Sequence, residues 1–581
     1  MKDMNDNDKK LLLGDSMRSS SPIIINDSLN ISLIEEEQSF CTKFMNKLKA
    51  IPLLFYFLMI IIILGLSIMI YFICFYNAEI PNFQVSDGWV SPAIDPRFYQ
   101  IHTFDNGLEI MLIHDPIFDR DGGAIVIEKG YLDNPFEEGL SNFITHFLSY
   151  LNFNNTPYDI DTLKNYYGSF EFGDEGHFIN FRFDILNNGF KKFLAFFSPI
   201  LDLENIENFE KIKENVINDI IEDYEENKKY ISEKENHLIE YLVFGFKNST
   251  DEDILPEGNP SILNQINLSQ VKDYLEKLIN PSKIKIVIFS KYKFSLSSKY
   301  MKHNFKYLID KKNITEKTDS LKEQLKNKEF NKSQIFYIKS GEHDTSYVKI
   351  IYYIDKVNNE DFSELTYKKS YFYYISDFLE KNKNGSLYYS IRNRIKSIET
   401  SVNVILKSKI EFSIQIELTN LTNINDIIYL TYQYIHKIIN ETDEKNIQMD
   451  RYEELKDICR NNQNLTENSY NTIELAKANA EHLFESKYAQ NYYYYYDCVP
   501  WNDSIEYNKS ILYEKTAPYF KQLKPENSVI ILAIKETQSF TCNNESKFDL
   551  DCDYFKNDSN IKETNFYDVQ YINSVFNSTK L

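Results

Sequence analysis

The chain has 581 residues, enough for two or three domains with well-buried cores. Its formal net charge is -22, which argues against nucleic acid or an anionic bilayer surface as the main partner.

Residues 1–50 are polar, with Ser and Asp clusters, and read as a disordered cytoplasmic tail. Residues 51–76, IPLLFYFLMIIIILGLSIMIYFICFY, carry no charge and are longer than a bilayer requires. The run starts too far into the chain, and is too long, for a cleaved signal peptide. Lys43, Lys47 and Lys49 precede it; Glu79 and Asp87 follow it, with no Lys or Arg before Arg97. The positive-inside rule then puts residues 1–50 in the cytoplasm and everything after Tyr76 in a lumen or outside the cell. The sequence thus predicts a single-pass type II membrane protein held by a signal anchor, with residues 77–97 as a stalk.

From residue 98 the pattern is that of folded elements. YQIHTFDNGLEIMLIHD has two alternating runs around Asp105-Asn106-Gly107, a hairpin signature. GGAIVIEKGY (122–131) reads as a third strand, 137–151 as a helix, and HFINFRFDIL (177–186) as a strand. GFKKFLAFFSPIL, the long acidic IENFEKIKENVINDIIEDYEENKKY and YISEKENHLIEYLVFG read as helices, and NPSKIKIVIFSK (280–291) as a buried strand. Residues 98–296 make a first domain, the Lys/Asn/Glu-rich stretch 297–333 a linker, and 334–581 a second domain. In the second, SYVKIIYYID, SIETSVNVIL and IEFSIQIEL are strands; KKSYFYYISDFLEKN and NINDIIYLTYQYIHKII are helices. PENSVIILAIK (525–535) mirrors PSKIKIVIFSK (281–291), each after a helix, which implies two copies of one unit.

Past the anchor the cysteines are Cys459, Cys498, Cys542 and Cys552, an even number that suits an oxidising compartment and allows three pairings. Cys542 and Cys552 are spaced to close a short loop.

The chemistry sits in EEGLSNFITHFLSYLNF, Glu137 to Phe153. Asn142, Thr145 and His146 stand at i, i+3 and i+4 and share one helix face. A zinc-peptidase helix places two histidines one turn apart, with a glutamate beside one to take a proton from metal-bound water. Here only His146 has that chemistry. The surrounding order resembles the insulinase-type (pitrilysin-like) zinc metallopeptidases, which carry H-x-x-E-H in a G-L-x-H-F-x-E-H-M-L-F run before a T-x-x-Y-P turn. The likeness continues through YYGSFEFGDEGHFINFRFDI, FKKFLAFFSPIL, the acidic helix, PEGNPSIL, GSLYYSIRNR, LKPENSVIILAIK and NFYDVQYIN, over about residues 98–575.

The resemblance implies an α+β fold of two tandem homologous αβ domains, each a sheet backed by helices, behind the single transmembrane helix. It implies that Asn142 stands at the first zinc-ligand position, Thr145 at the general-base position and His146 at the second ligand. The third ligand falls on Asp223, with Glu222 as the alternative one residue away. The family's N-A-x-T cleft edge becomes Glu171 to Asp174. An Asn amide is a poor zinc ligand beside imidazole, and a Thr hydroxyl is no base near neutral pH. Loss of the base alone costs roughly two to four orders of magnitude in rate. The expectation is an inactive homologue with no zinc, a peptide or polypeptide ligand, no nucleic-acid partner, and a second insulinase-family chain as partner. The rival readings are an active peptidase with an altered or partner-completed site, and a surface receptor using the old cleft. Two other histidines attract less: Glu481-His482 in ANAEH reads as structural, and His177, near Asp174 and Glu175, as part of an exposed turn.

Overall fold

The computed structural model describes residues 62–65, 83–86 and, with interruptions, 97–576; the longer interruptions are 132–138, 156–167, 199–208, 244–259, 314–332, 358–368, 442–448 and 485–508. The chain divides into two compact units, Met1–Ile80 and Pro81–Leu581. In the first, only residues 62–65 are described, as helix. The tail and the rest of the expected anchor lie outside the described residues. Among those residues no helix is long and apolar enough to cross a membrane.

The second unit holds two seven-stranded sheets. The first comprises β1 (Phe83–Ser86), β2 (Phe98–Phe104), β3 (Glu109–His114), β4 (Arg120–Ile127), β5 (Ser169–Asp174), β6 (Ile179–Leu186) and β7 (Ile284–Ser290). Their order is β1-β2-β3-β7-β4-β6-β5, with β3 and β7 parallel and every other pair antiparallel. β1 lies within the segment read as a stalk; its pairing with β2 makes that part of the stalk a sheet edge. The β2–β3 hairpin turns where Asp105-Asn106-Gly107 predicts it. Gly107 has φ +79, and a Cβ there would lie 2.9 Å from the Ser282 Cβ, so both dihedral and space select glycine. Asn106 Nδ2 donates to the carbonyls of Leu308 (2.8 Å) and Lys311 (2.8 Å), tying the turn to a distant helix end. β7 is buried along its whole length, as its unbroken apolar run requires of a central strand.

Against one face of this sheet pack α1 (Leu140–Asn155), α2 (Phe190–Phe197), α3 (Phe209–Asn227), α5 (Leu268–Leu278) and α6 (Phe294–Asn304). α4 (Ile231–Leu238) follows α3 and goes elsewhere, as described below. Phe143, Ile144, Phe147 and Leu148 of α1 meet Ile212, Val216 and Ile220 of α3 in one core. That core also takes Met301 from α6 and Phe305, Leu308 and Ile309 beyond it. Residues up to 310 therefore belong to the first domain, although their composition reads as linker from 297. Sparse apolar residues were enough, because all of them face inward.

The second sheet comprises β8 (Gln334–Ser340), β9 (Tyr347–Asp355), β10 (Ile395–Ile405), β11 (Lys409–Leu418), β12 (Ser528–Lys535), β13 (Lys562–Glu563) and β14 (Gln570–Val575), in the order β10-β11-β9-β12-β8-β14-β13. β8 and β12 are its parallel pair. Its core is closed by α7 (Phe372–Glu380), α8 (Ile424–Glu441), α9 (Met449–Thr466) and α11 (Lys509–Phe520). The plan repeats the first: β9 takes the place of β4, α7 of α1, β10 and β11 of β5 and β6, and β12 of β7. Pro281–Lys283 and Pro525–Asn527 are matching 3-10 turns before the central strands. The copies differ in chain order, because the strand beside β8 is the late β14 whereas the strand beside β3 is the early β2.

Each sheet's other face is covered by the opposite half. Leu238 of α4, with Ile239 and Val243, packs on Phe336, Ile351, Tyr353 and Val529 of the second sheet. Ala476, Ala480 and Leu483 of α10 (Thr472–Phe484) pack on Met111, Ala124, Val126 and Val287 of the first. Cys542 is disulfide-bonded; the side chains of Cys459, Cys498 and Cys552 lie outside those described.

Candidate functional site

α1 and α3 run side by side and are joined by two polar rungs. His146 Nε2 lies 3.6 Å from Asp223 Oδ2, and one turn along Tyr150 Oη donates to Asp219 Oδ2 at 2.6 Å. Both rungs follow an i, i+4 step on both helices, with His146 and Tyr150 rising on α1 as Asp223 and Asp219 descend on α3. The structure thus brings His146 to Asp223, while the neighbouring Glu222 is exposed. Phe172, within the Glu171 to Asp174 edge, belongs to the same locality, as do Asp219 and Tyr150, which were not read from the sequence. The i, i+4 spacing of Asp219 to Asp223 was the signal that could have found Asp219.

His146 is buried, its ring set edge-on to Phe172 with centroids 5.1 Å apart, and its Nδ1 meets no hydrogen-bond partner. Burial pushes the imidazole below its usual range, and Asp223 and Asp219 pull it only partly back. A neutral ring facing a carboxylate at 3.6 Å, whose own side chain is 61% exposed, is a weak contact. Thr145 is 1% exposed, and its hydroxyl donates to the Ser141 carbonyl at 3.0 Å. That back-bond is the ordinary resting place of a mid-helix threonine and directs the proton into the helix. Asn142, one turn before His146, is half-buried.

A catalytic zinc takes three protein ligands of imidazole, thiolate or carboxylate type. The locality offers one imidazole, His146, facing the exposed carboxylate of Asp223, while Asp219 is engaged by the Tyr150 hydroxyl and the remaining two stations hold an amide and an inward-turned hydroxyl. Among the described residues no group of three or more His, Cys, Asp or Glu side chains is placed to hold a metal ion. The donor set does not fit a peptidase zinc.

Beside α1 runs β5, the outer strand of its sheet, carrying Glu171 to Asp174. Glu171 pairs with Arg182 across the β5–β6 ladder at 3.4 Å. The turn after β5 corrects one expectation: His177 is 7% exposed, not on an open turn. The loop after β4 presses on it. A Cβ on Gly130 would come within 2.2 Å of the Gly176 carbonyl oxygen, and the Tyr131 amide donates to Asp174 Oδ1 at 3.2 Å. Glu481 lies on α10, whose Ala480 and Leu483 are buried against the sheet, and pairs with Lys477 at 3.8 Å.

No protein-family model matches the sequence, and no curated protein matches it. Solved structures do. The fold is that of the insulinase/pitrilysin (M16) peptidases, including domains of that family described as inactive. The crystal structure of pitrilysin superposes with a TM-score of 0.66 at 16% identity, covering 86% of this chain and 49% of that one. The first half of the periplasmic protease PqqL from Escherichia coli gives 0.56 at 10% identity, covering 79% and 94%. A peptidase M16 inactive domain from Pseudomonas fluorescens gives 0.55 at 10%, covering 77% and 100%. The chain therefore spans about half the length of pitrilysin.

Proposed function

We propose that this chain is an insulinase-like peptidase homologue that holds an extended peptide or polypeptide without cleaving it, and that it pairs with a second insulinase-like chain. The observation that carries the reading is Thr145, buried at the general-base position with its proton committed to the Ser141 carbonyl. No side chain there accepts a proton from water, and the metal stations beside it are short of donors. The outer edge of β5, next to His146 and Phe172, supports peptide docking by strand addition. Residues 51–76 would anchor the assembly to a membrane as a type II protein, with the two sheets on the lumenal or extracellular side.

The full chain, purified from membranes, is expected to contain no stoichiometric zinc and to show no chelator-sensitive cleavage of unstructured peptides. Stoichiometric zinc, together with cleavage abolished by His146→Ala, would sink the proposal. It would favour the rival reading of an altered peptidase, to which the approach of His146 to Asp223 lends its one support.

A further inference from the structure

Each sheet ends in an edge strand at the same place in the fold, β5 in the first and β10 in the second. β10 is the longer, with 11 residues, and among the described residues it pairs on one side only, with β11. A long edge of this kind is a template for pairing with another chain. Its side chains would favour that. Antiparallel pairing of two copies about Thr400 sets Ile398 opposite Val402 and Glu399 opposite Ser401, with no like charges facing.

The edge is blocked at its centre. The Thr400 backbone N–H points away from β11 and donates to Glu380 Oε1 at 2.6 Å, and the Thr400 hydroxyl donates to the same oxygen. Ser376 Oγ lies 2.7 Å from that hydroxyl. Glu380 is the last residue of α7, so its carboxylate lies over the outward side of the strand. Farther along, Tyr388 Oη reaches the Lys396 carbonyl at 3.5 Å. An incoming strand would have to displace a charged acceptor from the central donor of β10.

Among the described residues the first half has no counterpart. α1 and α7 are equivalent helices, and their sequences align as THFLS (145–149) with SDFLE (376–380). The register is supported by matching back-bonds, from Thr145 to the Ser141 carbonyl at 3.0 Å and from Ser376 to the Phe372 carbonyl at 3.1 Å. Ser149 takes the place of Glu380, and its hydroxyl turns back to the His146 carbonyl at 2.6 Å. It is too short to reach a strand edge.

We propose that Glu380 is an edge plug: by capping the Thr400 amide it keeps β10 from adding a strand, above all from pairing with β10 of a second copy of this chain. The inference is independent of the reading of the His146 site. Amide exchange on the wild-type full chain tests it directly. The Thr400 amide should exchange at least about tenfold more slowly than those of Ile398 and Val402, which alternate to the same outward side but lack a cap. Equal rates would overturn the plug. Glu380→Ala should remove the protection and shift the sedimenting mass of the full chain toward a doubling. Glu380→Gln, which keeps an oxygen acceptor, should stay at the wild-type mass. Adding Val402→Pro to Glu380→Ala should reverse the shift, because a proline there removes an outward donor and spares the β11 ladder. A Glu380→Ala chain at the wild-type mass, a Glu380→Gln chain that associates equally, or failure of Val402→Pro to reverse association would each refute it.

Discussion

Asp121 on β4 has no exposed surface, and only one of its oxygens is partnered, Oδ1 accepting the Lys291 amide at 3.1 Å. Burial raises its carboxyl to about 6, against the opposing pull of Ser290 and Lys291. Because the folded value lies above the unfolded one of 3.8, the folded protein binds this proton more tightly. The stability it contributes is present in acid and is lost as pH rises from about 4 through about 6. The shift corresponds to an upper bound of about 3 kcal/mol at neutral pH. Asp121→Asn, which keeps the acceptor oxygen, should therefore raise the melting temperature at pH 7.5 and leave it little changed at pH 4. An unchanged or lowered melting temperature at pH 7.5 would refute this. His102 works in the opposite direction: burial lowers its imidazole to about 4, so its contribution is lost as pH falls from 6.5 toward that value.

Among the elements, α4 departs furthest from what its sequence suggests. ISEKENHL is mostly polar, yet Glu235 is 2% exposed. Its carboxylate accepts the Tyr347 hydroxyl at 2.6 Å and pairs with Lys349, both on β9 of the other half. Glu411 of β11 shares the Lys349 charge, and burial raises its own carboxyl. Removing one member of such a cluster leaves the others desolvated and unpaired. Glu235→Ala should cost about 3–5 kcal/mol in a denaturant titration, whereas Glu235→Leu combined with Lys349→Met should cost much less. Equal losses in the two variants would show that the ion pair is not what holds α4 to β9.

At the scale of the whole molecule, α4 and α10 exchange places: each half supplies the helix that covers the other half's sheet. Among the described residues, neither sheet is covered on both faces by its own half alone. The two halves should unfold in one cooperative step, although each has its own main core. Ala480, fully buried against β4 and β7 among other residues, offers a test. Ala480→Leu should cost about 1–3 kcal/mol by overpacking and should weaken amide protection in β4 and β7, although the change lies in the second half. Protection lost only within α10 would mean that the halves are energetically separate.

The hairpin at Asp105-Asn106-Gly107, the buried runs of β7 and β12, and the repeat of one αβ unit were all legible in the sequence. Each is encoded by local periodicity or by a glycine dihedral that neighbours alone impose. That Asn142, Thr145 and His146 share one helix was legible for the same reason, since helical spacing fixes which residues lie on one face; their correspondence to zinc-peptidase stations is what the family resemblance implies. The sequence also carried the apolar run 51–76, on which the anchor proposal rests. Tertiary structure decided what depends on a partner far along the chain. Only packing could show that Asp223 and not Glu222 faces His146, that His177 is buried under the loop holding Gly130, and that α4 and α10 cross between halves. Only packing could bring Glu380 to the edge of β10. Such contacts join residues tens to hundreds of positions apart, and no local pattern encodes which apolar or charged groups will meet.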